Sequence, residues 1–119
     1  MNNLQAAFKA AVPGIIKNLA QRDIEAFFYE NSGAMVEDIL NRIPVGSSIT
    51  WGGSQSIVEC GLTDAIHNGN YTLLDRTVAK TPEEKRAFYG KAVMADIVLM
   101  STNAITYDGE LINIDGNGN

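Results

Sequence analysis

The residue pattern predicts an α/β fold, a three-layer α/β/α sandwich around a mainly parallel sheet, on three observations. Stretches of helical spacing alternate with short apolar runs of strand length, the signature of helices and sheet layered together. Ile97-Val98-Leu99-Met100 is a continuous apolar run, as a parallel strand covered on both faces requires. The segments between candidate strands are long enough to hold helices, and such crossovers bring successive strands parallel.

The elements follow in order. Leu4, Ala7, Phe8, Ala11 and Val12 form an apolar helical stripe that Ile15, Ile16, Leu19 and Ala20 resume after Pro13-Gly14, which predicts a kinked or broken first helix. Ile24 to Tyr29 is compact, apolar and aromatic and reads as a strand. Met35, Val36, Ile39, Leu40 and Ile43 return to helical spacing until Pro44. Ser48 to Trp51 is the next strand. Ile57, Val58, Gly61, Leu62, Ala65 and Ile66 share a helical face that Gly61 can split, and Asn68-Gly69 supplies a stop. Tyr71 to Leu74 follows as a strand. Thr81-Pro82-Glu83-Glu84 sets an N-cap, a first-turn proline and a capping-box glutamate in sequence, opening a helix expected to bury Phe88, Ala92 and Val93. After the strand Ile97 to Met100, Asp108-Gly109 lies between Ile105-Thr106-Tyr107 and Glu110-Leu111-Ile112-Asn113, which predicts a hairpin with a two-residue type I′ turn.

Composition bounds the function. A chain of 119 residues that is 45% hydrophobic fits one globular domain with a single core. A net charge of −5 with basic residues scattered along the chain argues against nucleic-acid and anionic-membrane surfaces. Cys60 is the only cysteine and His67 the only histidine, so no intrachain disulfide forms, no Cys/His metal set exists, and no cofactor is expected in this chain. With neither a secretory leader nor an apolar run of roughly 18 residues, the chain reads as cytoplasmic.

Two segments offer binding chemistry. Gly52-Gly53-Ser54-Gln55-Ser56 lies between a strand and a helix; its glycines permit a tight turn, while free N–H groups and the two serine hydroxyls can receive a phosphate or carboxylate. The same residues would serve an ordinary turn and N-cap. The second segment is the polar tip Ser101-Thr102-Asn103 with Asp115-Gly116-Asn117 downstream. Both segments follow strands predicted to point the same way, so both are expected on the carboxyl-end face where open α/β sheets bind ligands. Asp108 and Glu110 read as turn and hairpin residues. His67 reads as a helix C-terminal residue, Cys60 as a small core residue and Trp51 as a ring that closes the core or walls the ligand cleft.

Trp51-Gly52-Gly53-Ser54, Leu62-Thr63-Asp64-Ala65-Ile66-His67-Asn68-Gly69-Asn70-Tyr71, Ser101-Thr102-Asn103-Ala104-Ile105-Thr106 and Asp108-Gly109-Glu110-Leu111-Ile112-Asn113-Ile114-Asp115-Gly116 together resemble the LUD (lactate utilisation, LutC-like) domain family. The resemblance implies a NagB/RpiA/CoA transferase-like fold, shared with ribose-5-phosphate isomerase, glucosamine-phosphate deaminase and coenzyme A transferases. Members normally continue with further strands, so it also implies the N-terminal portion of a longer domain. An apolar edge is then expected to need cover from the following segment or a second copy, making a homo-oligomer the expected state.

Function divides into two classes on this resemblance. One is a lactate-utilisation component that binds a small anionic ligand or docks partner subunits holding the redox centres. The other is a sugar-phosphate isomerase-like or coenzyme A transferase-like enzyme. In the isomerases of this fold a similar strand runs into a Gly-Ala-Asp tip whose aspartate transfers a proton. Asn103 stands at the matching position here, and an amide cannot act as a general base near neutral pH.

Overall fold

The computed structural model describes residues 2–114. The chain runs α1 (Asn3–Ala20), α2 (Ser32–Arg42), β1 (Ser48–Trp51), α3 (Gln55–Glu59), α4 (Leu62–His67), β2 (Thr72–Leu74), a 3₁₀ turn (Arg76–Val78), α5 (Pro82–Ala92), β3 (Ile97–Leu99), β4 (Ala104–Ile105) and β5 (Leu111–Ile112). These elements form two compact units. One comprises Glu30–Ser101, the other, among the described residues, 2–29 and 102–114.

In the Glu30–Ser101 unit, β1 pairs in parallel with β2 on one side and β3 on the other, giving the order β2-β1-β3. Ile49 is the central residue, opposite Leu73 and Ile97. On its face the core closes: Ile43, Ile49, Ile57, Leu62 and Ile66 are buried, with Val36, Ile39, Leu40, Trp51, Leu73 and Leu99 packed against them. These residues come from α2, α3, α4 and the three strands, so one helical stripe per helix and alternate strand positions make a single apolar layer. Gly61, at φ 89°, separates α3 from α4, a backbone conformation that a side chain would oppose. Thr81 caps α5 through the Glu84 N–H, and the Glu84 side chain returns to the Thr81 N–H, completing the capping box.

A polar clamp aligns the start of the sheet. The Asp96 carboxylate accepts from the Ser48 N–H at 2.9 Å and the Ser48 hydroxyl at 3.2 Å, and the Asp96 N–H lies 2.8 Å from Ser48 Oγ. These contacts join β1 to the residue just before β3, so the two strands enter side by side.

The other unit is a helix and a hairpin. α1 runs through Pro13 without interruption, so of the expected kink or break, the break does not occur. β4 and β5 pair antiparallel, Ala104 opposite Ile112 and Ile105 opposite Leu111. The hairpin forms, but with a different turn. Thr106 N–H donates to Glu110 O at 3.0 Å and Gly109 N–H to Thr106 O at 3.1 Å, with Gly109 at φ 85°. Among the described residues Asp23 is the single non-glycine with positive φ, so Asp108 does not adopt the type I′ conformation. The loop is therefore Tyr107-Asp108-Gly109, with glycine alone in the left-handed region. Asn18 Nδ2 donates to Tyr107 O at 2.8 Å and Arg22 Nη1 to Asp108 O at 3.3 Å, seating the turn on the end of α1.

Two further expectations are corrected. Ile24 to Tyr29 forms no strand: α1 closes with Ile24 N–H on Leu19 O, and the three parallel strands all belong to the other unit. A strand needs a neighbouring ladder, which apolar content alone does not supply. Val93 is 82% exposed, because α5 ends at Ala92 and the cap residue lies outside its half-buried stripe of Phe88 and Ala92.

Candidate functional site

The strand order places one position apart from the others. The chain leaves β1 toward β2 on one side and returns to add β3 on the other, so the loops after β1 and β3 diverge at the boundary between these neighbours. Such a switch point opens a crevice at the carboxyl ends of parallel strands. Ser54 follows β1, Ser101 follows β3, and their Oγ atoms lie 2.7 Å apart.

The loop geometry explains the pair. Ser54 N–H donates to Gly52 O at 3.0 Å, and Ser54 Oγ accepts from Ile57 N–H at 3.3 Å as the N-cap of α3. That contact orients the hydroxyl toward Ser101. Gly53 is closely approached: a Cβ there would run into Nη2 of Arg76 and lie 3.4 Å from its Cζ. Gly52 has open space around it. The guanidinium of Arg76, from the 3₁₀ turn after β2, therefore lies against the backbone of the Gly52-Gly53-Ser54 loop. Three successive strand ends contribute to one place: a serine from β1, a serine from β3 and a cation from β2.

Asp75 and His67 border this edge. The Asp75 carboxylate accepts from the Thr77 N–H at 2.9 Å and the Thr77 hydroxyl at 2.7 Å. The Thr77 backbone N–H, then its hydroxyl, hold the Asp75 carboxyl below its ordinary value; burial opposes them, and the charges of His67 and Arg76 add smaller lowering effects. Such a carboxylate contributes stability fully present above its unfolded value near 4 and lost as pH falls through the lowered folded value. Asp75→Asn is therefore expected to flatten the decline of the urea midpoint as pH falls below about 4, relative to the native chain; an unchanged slope would show that Asp75 has no part in it. His67 donates Nδ1–H to Thr63 O at 2.7 Å, since a carbonyl can only accept, and its ring meets Trp51 edge-on with centroids 5.6 Å apart.

The remaining candidates are placed as follows. Gln55 Nε2 donates to Glu59 Oε1 at 3.0 Å, along α3. Ser56 is exposed on the same helix. Thr102 and Asn103 belong to the helix-and-hairpin unit, where Thr102 Oγ1 donates to Ile112 O at 3.0 Å and Asn103 Oδ1 accepts from Ile114 N–H at 2.9 Å. Asp115, Gly116 and Asn117 lie outside the described residues. Cys60 donates its S–H to Ile57 O at 3.3 Å and packs against the core with Trp51. Sequence reasoning missed Arg76; no motif marks it, and only the Asp75-capped turn after β2 brings it to Gly53.

The LUD domain family model matches residues 12–119. The chain belongs to the LUD domain family. Comparison with curated proteins and with solved structures returns no significant match. The matched span of the LUD domain takes in the Gly52-Gly53-Ser54 loop, Arg76 and Ser101. Among the described residues of this LUD domain, no helix is long and apolar enough to cross a membrane, and no group of His, Cys, Asp or Glu is arranged to hold a metal ion.

Proposed function

We propose that this LUD domain serves lactate utilisation by binding a small carboxylate or phosphate at the edge formed by Gly53, Ser54, Ser101 and Arg76. The supporting observation is the 2.7 Å serine pair at the switch point, with the Arg76 guanidinium against Gly53. With one hydroxyl proton held in the bond between the serines, the other O–H is left to donate to an anion while the guanidinium supplies its counter-charge. Partner subunits carry the redox centres in this reading, because the one thiol of this sequence, Cys60, cannot ligate an iron–sulfur cluster that needs several cysteines.

Calorimetric titration with lactate, pyruvate and inorganic phosphate tests the proposal. Gly53→Ala displaces the end of a flexible side chain, so its stability is expected to stay within about 1 kcal/mol of the native chain. Its anion affinity is expected to fall about tenfold, the effect of one misplaced charge-assisted hydrogen bond. Arg76→Ala should match it. Equal affinities in all three proteins would refute the site, and turnover of ribose-5-phosphate or an acyl-coenzyme A would replace the reading with the enzymatic one.

A further inference from the structure

Three basic residues close together in sequence also share one place in the fold. Arg76, Lys80 and Lys85 line one cavity of about 400 Å³ together with Thr77, Phe88 and Tyr89. Three of the nine Lys and Arg side chains of an acidic chain thus share a single concavity. The placement follows from local structure: the 3₁₀ turn presents Arg76, the following linker Lys80, and α5 Lys85, Phe88 and Tyr89.

Asp75 and Glu84, next in sequence to Arg76 and Lys85, take their hydrogen bonds from other donors. Asp75 accepts from Thr77 N–H and Oγ1–H, and Glu84 Oε2 accepts from the backbone N–H groups of Lys80 at 2.7 Å and Thr81 at 3.3 Å. Among the described residues none of the three cations forms a salt bridge. The cavity also has an aromatic wall. Phe88 and Tyr89 meet at 64° with ring centroids 6.0 Å apart, and Tyr89 is 51% exposed. Its size falls within the range of small-molecule and cofactor sites, larger than one phosphate or lactate would fill.

We propose that this cavity binds a nucleoside diphosphate, its base on the Phe88 and Tyr89 rings and its phosphates among Arg76, Lys80 and Lys85. Both halves of the ligand are needed to match both halves of the lining. A planar base gains contact on an aromatic ring regardless of its identity, and Lys and Arg suit phosphate oxygens. The two sites share Arg76, but the lysines and rings belong to this cavity alone and the serines to the other site alone, so variants at those positions test the two proposals separately.

Titration of the full chain with ADP, adenosine and inorganic diphosphate tests it. ADP is expected to bind at least about tenfold more tightly than either part, since stacking on one ring is worth about 1–3 kcal/mol. The double variant Lys80→Ala, Lys85→Ala should lose about twentyfold or more in ADP affinity, and Tyr89→Ala about tenfold. All three positions are exposed, and circular dichroism checks that each variant folds. Ser101→Ala, which alters the serine pair alone, is expected to leave ADP binding in place even where it weakens lactate binding. Diphosphate binding as tightly as ADP, ADP affinity unchanged in the lysine variant, or no ADP binding at all would each overturn the proposal.

Discussion

Ile49→Ala is expected to destabilise the Glu30–Ser101 unit by about 3–4 kcal/mol. Ile49 is fully buried, sits on the central strand and faces Leu73 on one side and Ile97 on the other. Truncation removes apolar surface from water and leaves a void among Ile43, Ile57, Leu62 and Ile66, groups held by three helices that cannot all collapse inward. Domains of this size hold only about 5–15 kcal/mol in total, so the loss is a large share. Urea unfolding followed by circular dichroism should show a lower midpoint at an unchanged slope. A shift equivalent to less than about 1 kcal/mol would mean that Ile49 is not the centre of the core.

Gly109→Ala is expected to cost about 3 kcal/mol in the helix-and-hairpin unit. Gly109 holds φ 85°, which disfavours any Cβ, and a Cβ there would lie 2.9 Å from both Asn18 C and Leu19 N. Those neighbours are helix backbone and cannot swing aside as a side chain does. The turn should lift from the end of α1, losing the Asn18–Tyr107 and Arg22–Asp108 contacts. Amide exchange should accelerate at Leu19–Ile24 and across the hairpin, with protection in the parallel strands unchanged. Gly14→Ala is the control of opposite sign: it has open space inside α1, where alanine gains roughly 0.5–1 kcal/mol over glycine. Exchange at the hairpin unaffected by Gly109→Ala would sink the close-packing argument.

Local signals in the sequence are legible where the chemistry is itself local. Thr81, Pro82 and Glu84 predict the start of α5 because every partner in a capping box lies within one turn. Gly61 predicts the split between α3 and α4 for the same reason. Asp108-Gly109 locates the hairpin but not its turn type, since Thr106–Glu110 pairing and the seat on α1 select the three-residue loop. Ile24 to Tyr29 misleads because an apolar aromatic run reports burial preference, not the presence of a neighbouring strand. At the candidate site, the Gly53-Ser54 loop and Ser101 are visible as segments following strands. Arg76 is not, since its approach to Gly53 depends on the order β2-β1-β3 and on a capped turn that has no spacing motif. The cationic cavity is invisible for a similar reason: Arg76, Lys80 and Lys85 follow no helical or strand period.

The Ser48–Asp96 clamp acts as the zero mark of a ruler whose other end is the serine pair. Pairing register fixes Ile49 opposite Ile97 and Trp51 opposite Leu99, so the distance between Ser54 and Ser101 is counted off from the opposite edge of the sheet. A slip of one residue would advance β3 by about 3.3 Å and turn its side chains to the other face, more than a 2.7 Å contact can absorb. Substitutions at Ser48 or Asp96, which touch no proposed ligand, therefore act on the geometry of the far edge. In this small sheet, alignment at the point of entry and reach at the point of exit are one quantity.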